Sequence, residues 1–288
     1  MSETYDPNAD PTKMLIDYNK LVQNIPSEWR ETHGKNINIG IIDSGMTRNH
    51  PDFLNYVTSV NSFDFTQSPN SINDIANHGT GMAGIIGARS TNLMGIRGVA
   101  SECNIFFLKA ADDSGDFSTQ SLKDVIAWLT KNNIHIVNCS FSISYPKYQK
   151  LFTDWNTLRS IVVAAAGENE TLTGSNYFYP AMNNNFISVG TIDHLLSSPF
   201  NPQLNYIMPL PSIISCSNNP NNWYNPLSGS SPATAFMTGI IALYLSFTNS
   251  MLVSKKTITT VLDAIAIPYD QNIEFGHLSI IKPKELLS

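Results

Sequence analysis

Short apolar runs of strand length alternate with helical patterns along most of this chain. INIGIID (37–43), bounded by the turn residues Ser44 and Gly45, NIFFLKA (104–110), HIVNCSF (135–141), IVVAAAG (161–167) and FISVGTID (186–193) all read as strands. Between them, GTGMAGIIGA (79–88) has the closely spaced small residues of a tightly packed helix. SLKDVIAWLTKNN (121–133) carries apolar residues at i, i+3 and i+4 and stops at Asn132 and Asn133, and YQKLFTDWNTLRS (148–160) is helix-like. Repeated strand, helix, strand alternation means parallel strands with crossover helices on both faces. The predicted fold class is therefore α/β, a three-layer, doubly wound, mainly parallel sheet. PATAFMTGIIALYLSF (232–247) follows as a long buried helix with Pro232 in its first turn, where a missing N–H costs little. The Asn-, Pro- and Ser-rich stretch 199–230 reads as surface loop with short strands. Residues 1–36 form a polar lead-in whose MLIDYNKLVQNI (14–25) has apolar residues at helical spacing. No repeat or linker divides the chain, so the lead-in is expected to pack on one domain spanning 37–288.

Composition narrows the partners. The 288 residues carry 17 Lys and Arg against 23 Asp and Glu, a formal charge of −6, and no basic block offsets it. That argues against a nucleic-acid partner. With 42% hydrophobic and 14% charged residues the chain can bury a sizeable core. No run approaches the roughly 18 apolar residues of a membrane span, so no membrane partner is expected. Cys103, Cys139 and Cys216 are an odd number without CxxC spacing, which suits reduced thiols rather than a disulfide framework or a zinc site. The first residues lack the basic start and apolar stretch of a secretory signal. A cytoplasmic location follows as an expectation, unless a signal or propeptide has been removed.

Three segments carry candidate chemistry: IGIIDSG around Asp43, NHGTGMAG around His78, and SGSSPATAFMTG around Ser231. Taken singly, each has a bland reading: a strand-end turn or cap for Asp43, a turn or cap for His78, an N-cap for Ser231. Taken together they supply a carboxylate, an imidazole and a hydroxyl, the parts of a nucleophilic hydrolase. In such a triad the carboxylate orients the imidazole, which removes the proton of the attacking hydroxyl.

These segments resemble those of the subtilisin-like serine proteases, the subtilases. IGIIDSGMTRNHPDF looks like the family's aspartate segment, NHGTGMAGIIGA its histidine segment and SGSSPATAFMTG its serine segment. GIRGVASECNIFFLKA, IVNCSF, IVVAAAGENE, NYFYPAMNNNFISVGTID and FGHLSI resemble further family stretches, in family order from about Ile37 to Leu278. The resemblance implies a serine endopeptidase acting on peptide or protein substrates, with Asp43 orienting His78, His78 as general base and acid, and Ser231 as nucleophile. Ser230 occupies the family's Thr position, which selects Ser231.

Departures from the family carry their own expectations. The family has Gly-Asn as its side-chain oxyanion donor, whereas Gly167 is followed by Glu168 and only then by Asn169. Either one inserted residue lets Asn169 serve, the reading preferred here, or Glu168 disables the site and leaves a peptide-binding pseudoprotease. Gly81 stands where many relatives have a second His, and Ala235 and Phe236 replace a Pro-His pair. By the resemblance, Ser140, Phe141 and Ser142 form the edge that pairs with the substrate. Phe141 walls one apolar subsite against Ala165 and Gly167, and Phe117 lines the next. Ser142 replaces a family Gly and narrows the cleft. No cofactor is required for catalysis; Asp52 matches a ligand of a structural calcium, and STNLMGI (90–96) resembles the ligand loop with one residue more. With only 36 residues before the first strand, an intracellular subtilase is expected. Its role is either removal of leaders from ribosomally made peptides, the reading preferred here, or general protein turnover. A peptide cyclase would use the same acyl-enzyme, but no lid segment favours it.

Overall fold

The computed structural model of the chain describes residues 6, 8–22, 24–53, 61–90, 93–144, 149–167, 178–191, 204–210, 212–250, 253–268 and 280–282. In chain order its elements begin with β1 (Leu15–Asp17), α1 (Tyr18–Leu21), α2 (Ser27–Arg30), β2 (Asn38–Asp43), β3 (Ser62–Asp64), α3 (Gly79–Gly87), β4 (Gly95–Arg97) and β5 (Asn104–Lys109). Next come α4 (Thr119–Leu129), β6 (Ile136–Cys139), β7 (Ile143–Ser144), α5 (Gln149–Asp154), β8 (Ile161–Ala165), β9 (Phe178–Tyr179), β10 (Ile187–Gly190) and β11 (Leu204–Ile207). The last are β12 (Ile213–Asn219), β13 (Asn222–Leu227), α6 (Ser230–Thr248), α7 (Lys255–Ile265), β14 (Ile267–Pro268) and β15 (Ile281–Lys282).

Among the described residues, nine strands form one sheet in the order β14-β15-β11-β10-β8-β6-β2-β5-β3, parallel except where β11 meets β15. The chain leaves β2 toward β5 on one side and returns to place β6 on the other, the doubly wound order. Side chains alternate across it with period two. Ile39 and Ile41 of β2, Phe107 of β5 and Val163 of β8 enter one core with α3 and α6. Ile42, Leu108, Val137 and Val162 enter the other with α4 and α5. Burial on both faces explains why these strands read as unbroken apolar runs. The β2–β6 border is a topological switch point, and strand C-termini beside such a point form the crevice where α/β sheets bind ligands. Asp43 ends β2, and Ser140 follows β6 directly.

Several elements depart from the sequence pattern. Residues 15–17 are a strand, paired parallel with 95–97, and only four helical residues follow. Ile16 enters the core from this strand rather than from a helix face, and Leu15 is half-buried. Tyr18 packs edge-on against Phe236, 5.1 Å between centroids, and its hydroxyl donates to the Ile214 carbonyl. Helix α4 starts two residues earlier than its apolar pattern, because the Ser118 hydroxyl caps it by accepting from Ser121 N–H, and it ends at Leu129. The 148–160 stretch yields only α5 and a 3₁₀ turn, Trp155–Thr157. Helix α7, the hairpin β12–β13 and the short edge strands were not resolved by periodicity. Helix α6 meets the length and apolarity of a membrane span, yet 72% of that stretch is buried inside the protein. It is a core helix, closed at its C-terminus by Asn249 in the left-handed region, φ 49°, whose N–H donates back to the Leu245 and Ser246 carbonyls.

Candidate active site

The end of β2 and the start of α3 are joined through one carboxylate. Asp43 Oδ1 accepts from Ser44 N–H at 2.8 Å and from Ser44 Oγ at 3.2 Å, and lies 2.8 Å from His78 Nδ1. The Asp43 side chain is 3% exposed and that of His78 38%, so the charge is covered while the ring reaches the surface. A carboxylate on Nδ1 makes that nitrogen the donor and leaves Nε2 as the basic one. Asp43 Oδ2 is buried and has no hydrogen bond among the described residues. Glycine is required immediately after His78: a Cβ on Gly79 would lie 2.3 Å from the Gly45 carbonyl oxygen.

Sequence reasoning missed Asp74, four residues before His78. Its Oδ2 accepts from Thr80 N–H at 2.8 Å and Thr80 Oγ1 at 2.7 Å, and its Oδ1 from Ser44 Oγ at 2.8 Å. Asp74 thereby caps the first turn of α3 and ties it to the residue after Asp43. The signal lay in DIANHGT, an acid just ahead of a helix start with a hydroxyl two residues past the histidine. Burial raises the Asp74 pKa, and the nearby Asp43 charge adds to this against the bonds from Thr80 and Ser44. On His78, burial opposes protonation, but the charge and hydrogen bond of Asp43 and the charge of Asp74 outweigh it. The imidazole pKa is raised. Lys109 was also missed. Fully buried at the end of β5, its Nζ donates to the Asn73 carbonyl and to Asp113 Oδ1, both at 2.8 Å, and so anchors the segment that carries Asp74.

Ser231 is the second residue of α6, whose N-cap is Gly229 at φ 101°. Its Oγ donates to the Ser140 carbonyl at 2.8 Å rather than to His78, and Ser140 Oγ donates to the Ser231 carbonyl at 2.9 Å. The Ser140 side chain, 1% exposed, is turned inward. The rings of Phe117 and Phe141 stack 4.1 Å apart at 29°. Ala165 and Gly167 are buried at the end of β8, Gly167 with φ 92°, and Ser142 is exposed. Glu168 and Asn169 lie outside the described residues. Gly81 has a steric reason of its own, since a Cβ there would meet Leu227 Cδ1 of the hairpin at 2.6 Å. An open depression of about 900 Å³, bordered by Asp64, Asp112, Asp113, Asp116 and Asp124, has none of Asp43, His78 or Ser231 in its lining and is a separate feature.

The described surroundings of Asp52 present donors where calcium would need oxygens. The ion needs six to eight oxygens, whereas among the described residues this carboxylate faces donors. Ile96 N–H reaches Oδ2 at 2.8 Å, the Tyr224 hydroxyl bonds to the carboxylate, and Cys216 Sγ stands 4.0 Å from Oδ2. Among the described residues Asp52 is an internal hydrogen-bond acceptor; residues 91 and 92 of the 90–96 loop lie outside the described residues. His50 completes the cluster with Asp52 and Cys216. Its Nδ1 accepts from Asp52 N–H at 3.1 Å and its Nε2 pairs with the Trp223 carbonyl at 2.8 Å, so neither nitrogen is left for a metal.

A covered carboxylate on a half-open imidazole and a serine at the start of a buried helix, bonded to the residue that follows β6 at the switch point of a doubly wound sheet, are the parts of a serine-type hydrolase. Comparison with known proteins narrows the class. The profile of the subtilase family, peptidase S8, matches residues 34–272, and the chain belongs to that family; it is a serine-type endopeptidase. Thermitase of Thermoactinomyces vulgaris is 29% identical over 267 residues, 91% of this chain and 93% of that protein. Subtilisin DY of Bacillus licheniformis is 32% identical over 220 residues, 74% and 78% of the two chains. The thermophilic serine proteinase of Bacillus sp. (strain AK1) is 30% identical over 246 residues, 83% of this chain but only 59% of that protein.

Proposed function

We propose that the chain cleaves peptide bonds through an acyl-enzyme, with Ser231 as nucleophile, His78 as general base and then general acid, and Asp43 as the carboxylate that orients His78. The observation that carries this reading is the 2.8 Å bond between Asp43 Oδ1 and His78 Nδ1, which leaves Nε2 for the serine proton. For attack, the Ser231 hydroxyl exchanges its resting acceptor, the Ser140 carbonyl, for that nitrogen. His78 takes the proton as Ser231 Oγ bonds to the scissile carbonyl carbon, then passes it to the leaving amine. Water then attacks the acyl carbon while His78 takes its proton, and His78 returns that proton to Ser231 Oγ as the ester bond breaks and the acid leaves. The first N–H groups of a helix have no intrahelical partner, and those at the start of α6 supply main-chain donors for the oxyanion. Asn169 supplies the side-chain donor. No metal enters these steps, and Asp52 serves as a buried hydrogen-bond acceptor.

The substrate we propose is a ribosomally made precursor peptide that loses its leader inside the cell, rather than protein in general. The stacked Phe117 and Phe141 together with Ser142 support a restricted cleft, and three buried free cysteines suit a reducing compartment. A fluorophosphonate should label wild type at Ser231 and leave Ser231→Ala unlabelled. Cleavage of a co-encoded precursor should far exceed that of casein; equal efficiency would sink the dedicated role. One observation favours a second reading, the pseudoprotease: the Ser231 hydroxyl rests on Ser140 and not on His78. A folded wild type that binds peptide yet takes no label would establish it.

A further inference from the structure

Thr238 stands seven residues, two helical turns, after Ser231 on α6, so both lie on the face that packs against β6. On β6, Asn138 alternates with Val137 and Cys139 and therefore points to the α6 side of the sheet. Its Oδ1 accepts from Thr238 Oγ1 at 2.9 Å. That bond decides which way the amide faces, because the other end, Nδ2, then donates to Ser140 Oγ at 2.9 Å. A hydroxyl that accepts from an amide has its own proton to give elsewhere, and Ser140 gives it to the Ser231 carbonyl at 2.9 Å. Ser231 Oγ returns a bond to the Ser140 carbonyl at 2.8 Å. Donor and acceptor roles thus run one way, from Thr238 through Asn138 and Ser140 to residue 231. Thr238 and Asn138 are fully buried, and Ser140 nearly so.

We propose that Thr238 and Asn138 are positioning residues for the nucleophile: by orienting the Ser140 hydroxyl they tie the main chain of residue 231 to the end of β6 and so place its Oγ between the Ser140 carbonyl and His78. The inference rests on the assignment of Ser231 as nucleophile. In Thr238→Val the amide loses the donor that orients it. If Asn138 then turns its oxygen toward Ser140, the Ser140 proton goes to that oxygen and the tie to residue 231 is lost. Left in place, Asn138 Oδ1 would be buried without a donor, and the Ser140 hydroxyl, already bonded to the other end of the amide, is the donor that a turn of the side chain brings to it.

The test compares Thr238→Val, Thr238→Ser, Ser140→Ala and Thr234→Val in the full chain, with kcat, KM, pH profile, melting temperature and fluorophosphonate labelling rate. Thr234 is a matched control: it is equally buried on the same helix, but its hydroxyl donates to the Ser230 carbonyl one turn back and stands outside the relay. Thr238→Val should lose about 10-fold in kcat and labelling rate, the scale of a small misplacement of a reacting atom. KM and the acid limb of the pH profile should stay put, because Asp43 and His78 are untouched. Thr238→Ser should restore kcat, Ser140→Ala should reproduce the loss should Thr238→Val fail to fold, and Thr234→Val should keep kcat. A labelled wild type in which Thr238→Val or Ser140→Ala keeps kcat within twofold overturns the inference alone. So does a loss that Thr238→Ser fails to restore, or an equal loss in Thr234→Val. An unlabelled wild type overturns the nucleophile assignment and this inference with it.

Discussion

Two clusters in this molecule have the same ingredients and opposite behaviour. One holds Asp43, His78 and Ser231; the other holds Asp52, His50 and Cys216, again a carboxylate, an imidazole and a side chain with a nucleophilic atom. In the first, carboxylate charge on the imidazole outweighs burial and the His78 pKa is raised. In the second, burial dominates and pushes His50 down to about 4. The difference lies in what touches the ring. His78 has a carboxylate on Nδ1 and keeps one side open. His50 sits among Phe53, Trp223 and Tyr224 and bonds only to main-chain groups. Burial likewise lifts Asp52 to about 6 against the bonds from Ile96 and Tyr224, and holds the Cys216 thiol well above its ordinary range. Composition does not make a base. A charge aimed at one nitrogen and an opening at the other do.

The contrast can be broken most sharply at Asp43. Asp43→Asn should keep the fold and lower kcat by about 10⁴-fold, a scale set by serine-protease triads, as measured with a chromogenic peptide. The equivalent cut in the other cluster should affect stability instead. Asp52→Ala leaves Ile96 N–H and the Tyr224 hydroxyl buried without their acceptor and should cost about 1–3 kcal/mol in denaturant unfolding, with kcat of the folded protein retained. A smaller effect is expected at Asp74. Its charge helps raise the His78 pKa, and the base must be neutral to act, so activity falls as pH drops through that pKa. Asp74→Asn removes the charge, lowers the pKa and should move the acid limb of the kcat/KM profile to lower pH. A limb that stays in place or moves up would show that Asp74 acts only as a helix cap. The smallest effect should come from chelation: a melting temperature unchanged by EDTA would agree with Asp52 as an internal acceptor, and a fall restored by calcium would refute that role.

Much of this was legible in the chain itself, for reasons that differ by element. Strands β2, β5, β6 and β8 are buried on both faces, so they appear as apolar runs without alternation, and the segment around His78 shows its close packing as repeated small residues. Short edge strands and the hairpin β12–β13 leave weaker traces, since pairing with the backbone of a neighbour carries no side-chain pattern. The 14–25 stretch misled because burial of Ile16, Tyr18, Leu21, Val22 and Ile25 at mixed spacing resembles one helical face. Within the site, Asp43, His78 and Ser231 stood out because they sit in distinctive segments. Asp74, Lys109 and Thr238 did not, because each acts through a partner far along the chain: Ser44 is 30 residues from Asp74, and Asn138 is 100 from Thr238. The stacking of Phe117 on Phe141 was hidden for the same reason.

Helix α6 is packed against α3, β6, β8 and β10 and is buried along most of its length. A peptidase in solution is surrounded by copies of itself, and each copy is a potential substrate once a segment opens. Amide protons at the centre of α6 should exchange with solvent only when the whole domain opens, while those of the edge strands exchange through local opening. Self-digestion would then begin at the periphery and reach the segment bearing Ser231 last, so a nicked molecule would keep its nucleophile in place until the fold as a whole is lost.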